Sequence, residues 1–599
     1  VKQAKGDSEK KEVGQALRLR NDSRNKTSSL GRWVYPAHLR NPSTKSRGTP
    51  ASQPVICFQL SRLSGRTWSS FCGRIASSAL LLLLFLGGNQ QLLRAQTRAT
   101  KPNRLPSAEK IVDSYLKTIG GKKRIADIRD ATYEWDIQLK ERTMGIAKTQ
   151  IKFPASVRAQ LTFGNGEIVS AANPRSAWIY GLDGRVHTLT DSEAAAARLQ
   201  AVLDASHLVD IKKRNVLARV VSLSAGADSA YILEFSLRSG ASLRYLFSPT
   251  TKLLVGIEDD ARKTTTRFSD YRSEGNILEA HRINIDIRSS GELTFLLKRV
   301  TYNAGIADAV FDPPRPVEAL DVPALLREVS RNQDQLEQRF TEYSFVQKET
   351  AREITSKGEV KKETAKVYEV FPIAYRAPVM KLISENGVPL SGERATKEQK
   401  RVEEEFDKAE RDKDKNRETA EKLRAERQKK RSARAKKGED DDDVDISQFL
   451  KIHEFVSPRR ERFRDRDAVV FDFRPRPGFK PTNRQEDLIS KLVGVAWIDP
   501  LDKQVMRLEA RLAEEFKMAG GLLVNLRPGA AFVMEQTRMN EGVWMPRMAQ
   551  INLSVKVLLF GGGDYNQTIE WSDYKHFSGD VGEYKLDAPK TDAPSEKKP

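Results

Sequence analysis

Side chains able to do chemistry are few and scattered along this 599-residue chain. Of its six histidines, His187, His207, His281, His453 and His576 stand far apart in sequence, each reading as a surface or structurally hydrogen-bonded group. There is no His-Glu-x-x-His, no Gly-x-Ser-x-Gly, no Walker loop and no paired-cysteine site. Asp440–Asp443 would attract a cation by charge but lacks the glycine and spaced ligands of a calcium loop. Gly561–Gly563 follows Leu558–Phe560 with no helix after it, which reads as a hairpin tip rather than a phosphate cradle. The expectation is therefore a protein with no catalytic residue, no cofactor and no metal. An enzyme acting on lipid or glycan would need clustered carboxylates or a histidine inside a cavity.

The elements that must position any binding site begin after an export-type leader. Arg66 and Arg74 precede an apolar run from Ile75 to Leu86, too short to span a bilayer, and Leu93-Arg94-Ala95 offers small-residue cleavage before Gln96. Segment 66–95 thus reads as a signal peptide; 1–65, basic and starting at a valine, reads as disordered and as an over-extended start. Residues 1–95 hold about +12 of the net +21, leaving about +9 for the rest, which removes the main support for nucleic-acid binding. Cys57 and Cys72 both precede the cut, so an exported chain has no disulfide, thiolate metal site or cysteine nucleophile. The expected location is the periplasm.

One stretch occurs twice. Ala230–Leu237, Tyr245–Val255 and Asp270–Gly275 recur in the same order as Ala468–Pro475, Ala496–Met506 and Met539–Pro546. Each piece alternates apolar and polar residues around a turn, as half-buried antiparallel strands do. Two similar β domains in tandem follow, over 105–315 and 322–585. The first opens with a helix capped by Ser107, with Ile111, Val112, Tyr115, Leu116 and Ile119 at helical spacing before Gly120-Gly121. In Thr132–Lys140, Tyr133, Trp135, Ile137 and Leu139 point one way and charged or polar residues the other. Val157–Phe163 repeats the pattern, Ala177–Tyr180 adds a strand, and a second helix covers Ser192–Ala205. Further strands are expected at Tyr231–Leu237, Ser242–Phe247, Leu253–Glu258, Thr264–Tyr271, His281–Ile287 and Thr294–Tyr302.

A leading helix, meandering strands, the aromatic-x-Asp-Tyr pattern ending at Tyr271, and a closing Asn303, Ile306, Asp308 and Phe311 resemble the LolA-like lipoprotein-sorting carriers of the bacterial envelope over about Leu105–Pro314. The second repeat resembles them more loosely; the proline often found after the Gly-led turn is absent at Ala280 and present at Pro546. The resemblance implies an α+β, mainly antiparallel fold of two incomplete β-barrels with lid helices, and a concave apolar face that holds acyl chains. Tyr133, Trp135, Ile137, Leu139, Leu161, Phe163, Trp178 and Tyr180 are then the candidate cavity lining. The same residues would equally form ordinary core beneath a helix, and their collective role rests on the resemblance.

The second domain opens with a helix over Val322–Phe340 and strands at Tyr343–Thr350 and Thr364–Phe371, with a turn at Asn386-Gly387. From Lys397 to Lys437 the chain is almost wholly charged, with Val402, Phe406 and Ala409 the early apolar spacing; this reads as a solvated helix with i,i+4 ion pairs running into a disordered acidic stretch, 439–443. Its basic end, Arg424–Lys437, is the candidate contact for a protein partner or an anionic membrane surface. Residues 586–599 read as a disordered tail. What the resemblance implies overall is a non-enzymatic carrier of lipid or lipoprotein acyl chains; the alternative is an envelope scaffold or lipid-sensing regulator that grips a protein partner with the same fold.

Overall fold

The computed structural model describes residues 105–576 apart from 227–228, 238–239, 288–290, 315–319, 341, 356–359, 374–376, 420, 423–424, 426–445, 519–523, 540–541 and 558–560. The leader, the segment before it, the acidic run, most of the basic end of the charged stretch and the C-terminal tail lie outside these residues.

Thirteen strands form the first sheet. They are β1 (Asp130–Leu139), β2 (Arg142–Lys152), β3 (Ser156–Phe163), β4 (Gly166–Ala172), β5 (Ala177–Tyr180), β6 (Val186–Thr188), β7 (Val216–Leu223), β8 (Tyr231–Leu237), β9 (Ser242–Phe247), β10 (Leu254–Asp259), β11 (Thr264–Glu274), β12 (Ile277–Ile287) and β13 (Gly291–Tyr302). All neighbours are antiparallel, in the order β6-β5-β4-β3-β2-β1-β13-β12-β11-β10-β9-β8-β7, so the sheet is open with β6 and β7 at its edges. Helices α1 (Ala108–Thr118) and α2 (Lys122–Ala126) precede β1, and α3 (Asp191–Ala205) joins the two edge strands. Ser107 caps α1 through a side-chain bond from the Lys110 amide, as expected of a serine there. Gly120 ends it at φ 142°, where any side chain would meet the Asn276 carbonyl at 2.8 Å, so the helix end can lie directly on the β11–β12 turn.

The sheet must be rolled. Eight strands separate β5 from β9 in its order, about 43 Å in a flat sheet at ~4.8 Å per strand. Yet α3, about 22 Å long and about 10–12 Å across, contacts β2, β3, β4 and β5 on one arm and β9 on the other. One apolar cluster accordingly runs from Phe163 of β3 through Tyr133 and Ile137 of β1 to Phe235 of β8, closed over by Ile111, Val112 and Leu116 of α1 and Leu199 and Leu203 of α3.

The second sheet repeats this plan. Its strands are β14 (Tyr343–Ile354), β15 (Val360–Phe371), β16 (Val379–Glu385), β17 (Val388–Pro389), β18 (His453–Phe463), β19 (Arg466–Pro475), β20 (Leu492–Asp499), β21 (Gln504–Leu512), β22 (Phe516–Met518), β23 (Val524–Leu526), β24 (Ala531–Arg538), β25 (Trp544–Val557) and β26 (Gly561–His576). The main order is β17-β16-β15-β14-β26-β25-β24-β21-β20-β19-β18, with β22 and β23 as a side ladder on β25. In both sheets the strand after the opening helix, here α4 (Val322–Phe340), pairs with the last strand: β1 with β13, β14 with β26. The repeated sequence pieces fall on β8 and β19, on the β9–β10 and β20–β21 hairpins, and on the β11–β12 and β24–β25 turns. The hairpins match in detail. Lys252 and Lys503 both take positive φ, 64° and 52°, and each amide donates to the carbonyl four residues back, Ser248 and Asp499, at 3.0 Å.

The charged stretch departs from expectation. Helix α5 (Gly392–Arg411) is docked, not solvated: Val402, Phe406 and Ala409 are buried against Phe371, Ile373 and Val379. Three apolar residues at helical spacing are enough to seat one face while the charges stay wet. In chain order α5 links β17 to the half that starts at β18, the two edge strands, which is the place α3 holds in the first sheet. Gly561–Gly563 is also corrected: these glycines open β26, paired with Val555–Val557, and are not a hairpin tip.

The two halves meet through buried charge. Ser176 Oγ donates to Asp472 Oδ2 at 2.6 Å, and Arg459 donates to Asp472 at 3.0 Å and to Glu461 at 2.7 Å. Glu461 in turn accepts from the Thr188 amide and hydroxyl at 2.8 and 2.6 Å. Strands β19 and β20 are covered on both faces: Val469, Phe471, Ala496 and Ile498 pack under α4, and Ala468, Val470, Val495 and Trp497 pack with Phe463, Met506 and Trp544 on the other side.

Candidate functional site

The covered face of the first sheet gathers the largest apolar surface together with an unexpected set of polar groups. Alternation along β1 turns Tyr133, Trp135 and Ile137 inward, with Glu134 and Asp136 outward, and β3 adds Phe163 with Leu161 at the margin. The Tyr133 and Trp135 rings stack 6.0 Å apart, and Tyr115 of α1 meets Phe247 edge-on at 5.4 Å. Five of the eight residues expected to line a cavity therefore lie in or against one cluster. Leu139 sits half-buried at the end of β1 outside that cluster. Trp178 and Tyr180 are not brought to it: they pack with Val169, Ala171 and Val186, and the Trp178 indole donates to the Phe311 carbonyl at 3.1 Å. A depression of about 430 Å³ that Trp135 borders opens on the polar side of the sheet among Glu134, Asp136, Lys148 and Lys298.

Within the apolar basin runs a polar seam that sequence reasoning missed. Glu279 Oε1 accepts from Tyr302 at 2.6 Å and from Tyr133 at 3.1 Å. Burial raises the Glu279 carboxyl, and the two tyrosine bonds pull it back only in part. His281, two residues on, pairs with Glu274 at 2.9 Å. On the α3 side, burial lifts Asp204 to about 7 against the pull of Arg262, Gln200 and Tyr245. The Tyr245 hydroxyl, on a residue 2% exposed, points at Asp204 without closing a well-formed hydrogen bond. Burial raises the Tyr115 hydroxyl, and the charges of both carboxyls raise it further. A signal for Glu279 was present in the sequence: Glu279 and His281 fall in phase with Ile283, Ile285 and Ile287, an acid where the alternation asks for an apolar residue. Asp204 carries no such mark.

The sheet parts beside Glu279. Strand β12 runs from Ile277, yet its pairing with β13 begins only at Arg282; Ile277 to Ala280 pair with β11 alone, and β13 beyond Leu297 pairs with β1. Glu279 thus stands where β12 has no ladder to β13, and the hydroxyls of Tyr133 and Tyr302 come from β1 and β13 to meet it. Every tyrosine hydroxyl in the seam is pushed up, so none is activated as a nucleophile. What the site presents is an apolar face with hydrogen-bond acceptors at one end.

No family model matches the chain, and no curated protein matches it. Solved structures of similar shape include a LolA superfamily protein from Nitrosomonas europaea, with 10% identity over 35% of this chain and 99% of that chain at a TM-score of 0.26. A DUF1329 family protein from Desulfovibrio piger shares 13% identity over 34% of this chain and 97% of its own, at 0.24. The Pseudomonas aeruginosa MucA/MucB complex structure is matched at 9% identity over 78% of this chain and 99% of that chain, at 0.15. At these scores the likenesses carry no argument about ligands, and the open antiparallel architecture rests on the strand pairing itself.

Proposed function

We propose that the covered face of the first sheet reversibly binds the acyl chain of a lipid or lipidated protein, in the cell envelope to which the leader at 66–95 would direct the chain. The observation that carries this reading is the single apolar cluster reaching from β3 to β8 across a rolled, unclosed sheet beneath the short helices α1, α2 and α3. A rolled sheet with open edges can admit a guest without breaking its own ladder, and each buried methylene contributes about 0.8 kcal/mol. Helix α3 seats Leu199 and Leu203 in this cluster, while its Ala194 and Ala201 pack on Ala172 and Ala177 of the β4–β5 arm, so lifting it from the cluster exposes chiefly two leucines.

Tyr133, Trp135, Ile137, Leu161 and Phe163 would line the bound chain, with Leu139 at the rim; Trp178 and Tyr180 would shape the adjoining β4–β6 arm. Any partner contact through the charged stretch would begin beyond Arg411, since α5 is committed to the second sheet. The test is native mass spectrometry with lipid extraction on protein purified from residue 96 onward, alongside titration with N-phenyl-1-naphthylamine. Co-purifying acylated species and saturable probe binding are expected. An empty protein that also ignores the probe would make the cluster ordinary core and overturn the reading.

A further inference from the structure

We infer that Glu279 selects the polar end of the ligand: the basin takes an acyl chain whose head donates hydrogen bonds, such as an alcohol or an ammonium, and disfavours one ending in a free carboxylate. This inference rests on the acyl-chain reading above and narrows it.

The geometry is specific. Glu279 lies on the inward face of β12, in phase with Ile283 and Ile285, which pack against the apolar cluster. Both tyrosine hydroxyls bond the same oxygen, Oε1, and no side chain among the described residues bonds Oε2. The strand carrying it has left β13 at this point, so the carboxylate stands at a gap in the sheet and not beneath a ladder. A guest that brings a donor to Oε2 completes the shell of a carboxylate that burial has left under-solvated.

An anionic head meets the reverse situation. The second carboxyl near this face is Asp204, and the one arginine there, Arg262, acts on Asp204 and pairs with Asp259 at 2.6 Å, away from Glu279, whose own neighbours are His281 and Glu274, paired with each other at 2.9 Å. A ligand carboxylate would sit beside Glu279 with no arginine or lysine to neutralise it there, and like charges in a poorly hydrated site exclude one another. The tyrosines could turn to serve such a ligand only by abandoning Glu279.

The experiment is displacement of N-phenyl-1-naphthylamine from the protein at pH 8 by three competitors of one twelve-carbon chain: dodecanol, dodecylamine and laurate, each below its micelle concentration. Dodecanol and dodecylamine should displace the probe at about tenfold lower concentration than laurate, the size of one hydrogen bond to a charged group. Glu279→Gln should bring laurate to within about threefold of dodecanol. Laurate equal to or better than the alcohol on the wild-type protein overturns the selectivity while leaving acyl binding intact, and that comparison needs no variant to fold. An unchanged ratio in a folded Glu279→Gln protein also overturns it. Failure of all three chains to displace bound probe removes the acyl-chain reading and this inference with it.

Discussion

Arg507 on β21 and Asp191 at the start of α3 form an ion pair at 2.8 Å that joins the two sheets, although Arg507 is 1% exposed and Asp191 is 44% exposed. The same guanidinium donates to Glu509 at 2.9 Å and to Glu535 at 2.7 Å, both buried. The partners are therefore unequal. Removing the arginine takes a charged partner from two buried carboxylates, leaving Glu535 to Arg464 and Arg547 and Glu509 to the more distant Arg511, whereas removing Asp191 takes one of three acceptors from a cation that keeps the others. Arg507→Ala should cost about 2–3 kcal/mol and Asp191→Ala about 1 kcal/mol or less, read from urea unfolding midpoints. Equal losses from the two substitutions would show that the pair, rather than the arginine with its buried carboxylates, sets the stability.

Phe406 tests whether the charged helix is seated. Its ring lies 5.7 Å from that of Phe371, beside Val402, which is wholly buried. Phe406→Ala should cost about 3–4 kcal/mol and release the amides of α5 to faster hydrogen exchange. On a solvated helix the same change would stay within about 0.5 kcal/mol.

Much of this architecture was legible. The cap at Ser107, the β1 alternation and the duplicated hairpins could be read because each is a local pattern: a side-chain acceptor, a period of two, a turn. Strand β2 was not. In Arg142–Lys152 burial follows no clean alternation, because the register with β1 shifts between Ile137 and Gln138 and apolar Ile146 is left exposed. Strands β19 and β20 read correctly as strands, but their two faces are covered by α4 on one side and by Phe463, Met506 and Trp544 on the other, with Ser176 and Thr188 of the first half reaching Asp472 of β19 and Glu461 of β18, contacts distant in sequence that no period records. The Glu279 seam shows the same division: its phase among isoleucines was visible, while the hydroxyls that meet it come from β1 and β13.

Gly494 marks the tightest approach in the second sheet. A Cβ there would lie 1.8 Å from the Glu509 carbonyl oxygen and 2.7 Å from the Phe473 ring, so β20 and β21 would have to separate. Gly494→Ala should cost about 3 kcal/mol or more. Gly529→Ala is the control, with a left-handed φ of 89° but no atom within 4 Å of its Cβ, and should cost about 1 kcal/mol. Thermal melting of the two variants against wild type separates steric exclusion from backbone strain; near-equal midpoints would mean that β20 and β21 part easily.

Asp204 gives the basin a pH signature. With its carboxyl raised to about 7 by burial, the folded chain holds a proton that the unfolded chain has already released, so this group lowers stability progressively from about pH 4 to pH 7 and fully above. His207 and His453, both held down to about 4 by burial, act in the opposite sense: the unfolded chain takes up protons below about 6.5, and the fold loses stability as the pH falls from there toward 4. Asp204→Asn removes the first contribution and leaves the second. The variant should be more stable than wild type by about 2–4 kcal/mol at pH 8, with the gap shrinking toward zero near pH 4, read from urea midpoints at pH 4, 6 and 8. A gap independent of pH would assign the gain to packing of the amide and return Asp204 to an ordinary, ionised carboxylate at the edge of the seam.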